Sequence, residues 1–365
     1  MSSPAVPWKP LDPVPLDHAR AAAGEGADAF PASGAEILLG PLSAVIIAPA
    51  VDDLTASGVW DGRTFRLVGP VPRLTSSRFH AYGSESRPIH LFVRLPEGGL
   101  YLGTLSHASS TWTRDPEVLR QGDLWLDSPL SRDVLDRVRP PAAPSSLPGL
   151  DWLDHLPADP VEALRLFLRT WHPAPAAEPE EPPPAIPVPP ALAEFYRLTR
   201  GRPHARGVQN FIRPPGELGL RADGLLAFGH ENQGYFEWVL DPGQDEPTVW
   251  TIDDYQERHP ERERLTGFLL QFSLYEAAVD APYRAWTGPL PTPVAEELTT
   301  RLRRVPLKTW MWPLYRISFY VAPGLIATVE TDEEQEECDI SLGAAHRSVL
   351  RPLAGLDIDW TAFDG

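Results

Sequence analysis

The stretch GLLAFGHENQGYFEWVL, residues 224–240, decides how the second half of this 365-residue chain folds. Short apolar runs lie at its two ends, and the later run alternates so that Phe236, Trp238 and Leu240 share one side of an extended strand. The intervening HENQG suits a tight turn, because its residues are polar and its glycine can adopt a positive φ. The stretch therefore predicts a β-hairpin.

A zinc site is the competing interpretation of this stretch. His230 and Glu231 match the start of the HExxH motif, in which two histidines four positions apart bind zinc from one face of a helix. The second histidine would stand at position 234, which is a glycine. The sequence thus predicts no metal site here. It leaves two roles open for Glu231: an exposed turn carboxylate, or one that contacts an arginine of a protein partner.

Helical patterns flank the hairpin on both sides. Asp159 is a good N-cap for a helix over 160–171, a second helix over 191–200 ends at Gly201, and apolar residues recur at helical spacing over 264–279. Further strands are predicted beyond each helix. Together they predict an α+β fold, with a mixed sheet flanked by helices, over residues 158–365. A proline-rich insertion interrupts it at 173–190.

The first part of the chain has a different pattern. Residues 1–35 are rich in Pro, Ala and Gly without periodicity, which predicts a disordered segment. Residues 36–140 contain short apolar runs separated by turn residues, the pattern of a smaller β-rich domain that closes with a helix at 131–138. Residues 141–157 are predicted to be a linker.

The charge of the chain restricts its partners. The formal net charge is −18, from 50 acidic and 32 basic residues. Such a surface repels the phosphate backbone, so we expect no nucleic-acid ligand, whereas a basic protein would be attracted. The alternative is that the acidity only keeps the protein soluble.

The sequence also indicates the cellular compartment of the protein. Cys338 is the only cysteine, which excludes an intramolecular disulfide and favours a reducing compartment. No signal-peptide pattern is present, and no apolar run is long enough to span a bilayer. We expect a cytoplasmic chain with no membrane contact; the alternative is export by a route that needs no cleavable signal.

The acidic run ETDEEQEECD, residues 330–339, is the strongest local charge. A solvated loop between two strands is one interpretation of it. The other is a surface for a basic protein, because complementary charge speeds encounter and sets specificity. The side chains predicted to bind such a partner, together with Glu231, are Glu330, Asp332, Glu333, Glu334, Glu336, Glu337 and Asp339.

Motifs of catalysis are missing from the sequence. It contains no glycine-rich phosphate loop, no G-x-S-x-G elbow and no kinase signature, and its ten histidines are scattered. We therefore expect no catalytic residue, no metal and no cofactor. The lesser alternative is a hydrolase in the N-terminal domain, which would depend on His107 within GTLSHASS, residues 103–110.

The order of segments in the second half resembles the SUKH superfamily. The resemblance covers roughly residues 158–350 and rests on the helix PPALAEFYRLTRG, the hairpin with FGHENQG, the strand EPTVW and the helix LTGFLLQFSLYEA. The tail FYVAPGLIATVE is similar to actinobacterial members. The resemblance implies that the fold is defined by Phe195, Tyr196, Pro215, Glu231, Asn232, Gln233, Gly234 and Trp238.

The same resemblance implies an α+β fold, no enzyme activity and a role in binding proteins. Members of the superfamily include bacterial immunity proteins against polymorphic toxins and regulatory adaptors. We expect an immunity protein that neutralises a toxin, such as a basic nuclease, by direct binding, as a monomer or weak homo-oligomer. The alternative is a two-domain adaptor or scaffold, which the additional N-terminal domain and the proline-rich spacer favour.

Overall fold

The computed structural model describes residues 12–51, 57–72, 87–112, 118–140, 144, 146–173, 183–184, 186–311, 316–331 and 337–365. The chain separates into two compact units, Met1–Ala143 with Asp364 and Pro144–Phe363 with Gly365. The predicted α+β class is confirmed, because helices accompany three mostly antiparallel sheets. Among the described residues, no helix is both long enough and apolar enough to cross a membrane.

The first unit is built on one eight-stranded sheet with the strand order β1-β2-β3-β6-β7-β8-β5-β4. Strands β3 and β6 run parallel, and the other paired strands are antiparallel. Ser33 Oγ donates to the Gly69 carbonyl at 3.1 Å, so the first and fifth strands approach and the sheet curls. The strands are β1 (Asp28–Ala32), β2 (Ala35–Leu39), β3 (Ala44–Pro49), β4 (Gly58–Val59), β5 (Thr64–Pro72), β6 (Ile89–Leu95), β7 (Gly98–Trp112) and β8 (Val118–Leu126).

Helices α1 (Leu16–Ala21) and α2 (Arg132–Val138) complete this unit. Ala19 of α1 is buried with Val45 and Phe92 on one face of the sheet, and β1 pairs with β2. The prediction of disorder over 1–35 is therefore wrong for residues 12–35; residues 1–11 lie outside the described chain. The sequence pattern misled because the apolar surface that orders this short segment comes from distant strands.

The second unit begins with α3 (Asp151–His155), α4 (Pro160–Trp171) and α5 (Pro190–Thr199). The Asp159 cap is confirmed, since its Oδ1 accepts the Glu162 N–H at 2.9 Å. The predicted linker at 141–157 is wrong where the chain is described, because Trp152 is buried against Phe167 of α4. Residues 174–182 and 185 of the predicted proline-rich insertion lie outside the described residues.

The single mixed sheet predicted for this unit is wrong, because the unit contains two antiparallel sheets. The hairpin sheet has the order β10-β11-β12-β13-β14, and β9 also pairs with β11. The predicted hairpin is confirmed as β11 and β12, paired antiparallel. Its strands are β9 (Asn210–Ile212), β10 (Gly219–Leu220), β11 (Leu226–Glu231), β12 (Phe236–Leu240), β13 (Thr248–Asp253) and β14 (Arg258–Arg264).

The C-terminal sheet has the order β17-β19-β20-β21-β15-β22, while β16 pairs with β21 and β18 with β19. Predicted strands near residues 315–321, 324–330 and 338–343 correspond to three of its central members. The strands are β15 (Tyr283–Thr287), β16 (Leu290–Pro291), β17 (Arg303–Arg304), β18 (Trp310–Met311), β19 (Arg316–Ala322), β20 (Leu325–Thr331), β21 (Glu337–Ala344) and β22 (Trp360–Phe363).

Helix α6 (Leu265–Val279) lies at the centre of the second unit. It contacts α4, α5 and strands of both sheets, and all of its residues except Tyr275 and Val279 are buried. The predicted helix is confirmed, and it is buried around almost its whole circumference rather than on one face. Helices α7 (Thr292–Thr299) and α8 (Arg347–Leu350) contact the C-terminal sheet through β21.

Candidate functional site

The hairpin turn is held by the side chain of its own first residue. The Glu231 carboxylate accepts the N–H of Gln233 at 2.7 Å and of Tyr235 at 3.3 Å, and Glu231 is 4% exposed. Gly234 has φ +79°, the conformation that favours glycine. The predicted exposed turn carboxylate is wrong, because Glu231 is buried and caps the turn. Contact with a partner's arginine stays a prediction, and the burial of Glu231 argues against it.

The other residues implied to define the fold divide into two groups. Trp238 is 1% exposed and contacts the rings of Phe268, Phe272 and Trp310. Phe195 and Tyr196 are buried on α5, and Pro215 is buried in a 3₁₀ turn. The side chains of Asn232 and Gln233 are exposed instead, and the turn takes its side-chain acceptor from Glu231.

The acidic run is not a loop along its whole length. Glu330 lies on β20, and Glu337 and Asp339 lie on β21. Glu330 stands directly opposite Asp339 in the antiparallel register, so the two side chains project from the same face of the sheet. We call these two residues the acidic pair. Asp332, Glu333, Glu334 and Glu336 lie outside the described residues.

The environment of the acidic pair disfavours two negative charges. Burial raises the pKa of Glu330, and the nearby Asp339 raises it further. Burial likewise raises the pKa of Asp339, with a contribution from Glu337. Within the described chain, neither carboxylate has a hydrogen-bond or ion-pair partner. Like charges directly opposite on paired strands are destabilising, so the pair is an unsatisfied acceptor for a cation.

A small pocket of about 120 Å³ adjoins Glu330 of the acidic pair. Its walls come from α6, β15, β20 and β21, and include Tyr275, Arg284, Trp286 and Glu330. Burial raises the pKa of the Tyr275 hydroxyl well above its ordinary value, so this group remains a neutral donor. Arg284 lies with its guanidinium carbon 5.9 Å from the centroid of the Trp286 ring.

Glu330 and the aromatic side chains offer groups that a cationic side chain can use, and such a cation would share the pocket with Arg284. A guanidinium forms paired hydrogen bonds with carboxylates and stacks on aromatic rings, and an ammonium uses the same groups as a point charge. The sequence pattern points to the acidic residues of this site. It gives no sign of Tyr275 or Trp286, because they reach the pocket from separate elements.

No family model matches the chain, and no curated protein or solved structure matches it significantly. The site is therefore defined by its own geometry.

Two places in the structure bear on the catalytic and metal alternatives. The backbone of His107 lies in β7 opposite Leu124, while its side chain is outside the described residues. Asp253, Glu257 and His259 bring ligand atoms within 4.8 Å of one another. Asp253 accepts the Glu257 N–H at 2.8 Å, and its Oδ2 lies 3.1 Å from His259 Nε2. Asp253 thereby caps the β13–β14 turn.

Proposed function

We propose that this chain is a non-catalytic, cytoplasmic binding protein that neutralises a basic protein toxin by covering part of its surface. The acidic pair carries the proposal. Glu330 and Asp339 face each other beside a pocket with an indole ring, and neither carboxylate has a hydrogen bond or ion pair among the described residues. A lysine or arginine of the partner would supply the missing charge.

Two further features support a basic partner. The net charge of −18 attracts basic proteins over long range and speeds their encounter. Glu337 is exposed next to the acidic pair, which extends the negative surface beyond the pocket. The resemblance to SUKH immunity proteins gives the proposal its specific form, in which the partner is a toxin.

The experiment is co-expression with each gene that flanks this one, followed by measurement of growth and of the dissociation constant of the purified complex. The test variant is Glu330→Gln/Asp339→Asn. The matched control is Asp245→Asn/Asp254→Asn, which removes two exposed charges from loops of the hairpin sheet. We expect the test variant to weaken binding at least about tenfold, equivalent to about 1.4 kcal/mol, and the control to bind like the unmodified protein. Equal affinities of the two variants would reject the acidic pair as the binding site.

A two-unit adaptor is the second candidate function. Each unit has its own extensive apolar core, and this observation favours the adaptor. A unit with its own core can present a binding surface of its own. Deletion of residues 1–143 separates the candidates. An adaptor loses its cellular phenotype with this deletion, whereas an immunity protein that binds through the second unit still protects.

A further inference from the structure

A larger cleft, of about 640 Å³, opens in the second unit at the edge of the hairpin sheet. It lies beside the 3₁₀ turn Pro203–Arg206 and strand β9. Its apolar lining includes Val208, Phe211 and Ile212, and its polar side chains are His204, Arg206 and His230. This volume is within the usual range of small-molecule sites, and the mixture of apolar walls with a few polar groups is typical of them.

The wall of the cleft is fixed before any ligand arrives. The Glu276 carboxylate of α6 is fully buried and accepts the N–H groups of Val208 at 2.6 Å, Gln209 at 2.8 Å and Asn210 at 3.0 Å. Gly207 precedes them with φ +124°, and a Cβ there would overlap the Asn210 carbonyl oxygen. Val208 is thus held on the rim, which lowers the ordering cost of binding.

The chain segment that lines most of the cleft has an excess of basic side chains, and two of them, Arg197 and Arg213, are ion-paired with Glu194 and Glu237. Acidic side chains also lie near the lining, because Asp280 contacts His204 and the charges of Glu217 and Glu231 act on His230. Residues 197–213 contain Arg197, Arg200, Arg202, Arg206 and Arg213 and no acidic residue, although the net charge of the chain is −18. Arg206 is anchored by donation from Nε to Thr199 Oγ1 at 2.8 Å and from Nη2 to the Tyr196 carbonyl at 3.4 Å. Its guanidinium keeps its charge at all physiological pH values.

The two histidines of the cleft supply further polar atoms. His204 Nδ1 lies 3.2 Å from Asp280 Oδ1, and a proton held between them leaves Nε2 as the remaining ring nitrogen of His204. The His230 ring lies 5.6 Å from the Phe211 ring at an interplanar angle of 31°. Burial lowers the pKa of His230, so that this ring is neutral and contributes flat apolar surface as well as a polar atom.

We propose that this cleft binds a small organic anion with an apolar ring, such as an aryl carboxylate or an aryl phosphate. The ring lies against Val208, Phe211 and Ile212, and the anionic group lies toward Arg206 and His204. This site goes beyond the binding of a basic toxin, because it takes a ligand of opposite charge and is built on the hairpin sheet rather than the C-terminal sheet.

The probe for the test is 1-anilinonaphthalene-8-sulfonate, an aromatic anion, titrated by fluorescence into the full chain. Phenyl phosphate and benzoate serve as anionic competitors, and benzyl alcohol serves as the neutral one. The test variant is Val208→Glu, which places a negative charge on the rim. Its matched control is Tyr255→Glu at a turn of the same sheet, where the tyrosine is 82% exposed. Arg206→Gln removes the cationic group, with the exposed Arg264→Gln as its control.

We expect saturable binding at one site, displaced by the anions and not by benzyl alcohol. Val208→Glu and Arg206→Gln weaken it at least fivefold, while their controls and Glu330→Gln/Asp339→Asn leave it unchanged. The last variant separates this site from the toxin-binding proposal. Binding that is not saturable, equal displacement by benzyl alcohol, or unchanged affinity in Val208→Glu would each overturn the inference.

Discussion

Glu330 and Asp339 stand directly opposite each other on β20 and β21, and burial raises the pKa of both carboxyl groups. A group whose pKa is higher in the folded state binds its proton more tightly there than in the unfolded chain. The contribution of such a group to stability is fully present below the ordinary carboxyl pKa and is lost as the pH rises through the folded-state value. The opposed carboxylates therefore lower the stability of the free protein at neutral pH, and the proposed cationic partner would offset this cost.

Glu330→Gln is expected to increase the free energy of unfolding at neutral pH by a few tenths to about 1 kcal/mol, because it removes one of two opposed charges. The effect should shrink toward pH 4, where the carboxyl groups gain protons. Urea denaturation between pH 4 and 8 measures both quantities. A loss of stability at neutral pH would mean that Glu330 has a structural role that the free protein needs.

Glu276→Gln tests the carboxylate that holds the backbone at the wall of the cleft. The carboxylate accepts three backbone N–H groups and Asn210 Nδ2, whereas an amide brings its own N–H groups to the same place. We expect a loss of about 1–3 kcal/mol in unfolding free energy, the usual cost of buried donors left without acceptors. Urea denaturation measures it, with the exposed Glu296→Gln of α7 as control.

The competing effect at Glu276 is burial, which raises the pKa of its carboxyl group against the hydrogen bonds that lower it. If burial dominated enough to keep Glu276 protonated at neutral pH, glutamine would replace it almost without cost. A stability change below about 0.5 kcal/mol would therefore show that Glu276 is a neutral carboxylic acid in the folded protein.

Glu231→Ala tests the turn cap. The substitution removes the acceptor of the Gln233 and Tyr235 N–H groups, and we expect it to cost about 0.5–1.5 kcal/mol of stability. The affinity for a basic partner should not change, because Glu231 is buried. Asn232→Ala in the same turn is the control and should be neutral in both measurements. Weaker partner binding with unchanged stability would show that Glu231 contacts the partner.

The sequence predicts the elements whose signals are local. Strand β3 lies where the run of Val45, Ile46 and Ile47 indicates, and the hairpin follows the alternation around Trp238. Helix α3 gave no such signal, since its five residues depend on burial of Trp152 for their order. Strands of two residues, such as β16 and β18, are too short to carry a pattern at all.

The candidate site was predictable only in part, for the same reason. Glu330 and Asp339 belong to one acidic run in the sequence, but their opposition depends on the register of β20 and β21. Trp286 joins them only because β15 pairs with β21. The burial of Glu231 depends on backbone N–H groups, and no residue pattern records where those groups point.

Trp238 and Gly229 give the last prediction, because they are partners in the β11–β12 register and a Cβ at Gly229 would lie 2.7 Å from the Trp238 ring. Trp238→Ala is expected to cost about 3–5 kcal/mol, since it empties a fully buried site, while Trp125→Ala at an exposed position costs little. Gly229→Ala should destabilise the unmodified protein but cost clearly less in the Trp238→Ala background, where the clashing ring is gone. A double-mutant cycle by urea denaturation measures this coupling, and additive costs would show that other neighbours of Gly229, such as the Phe211 carbonyl, set the requirement for glycine.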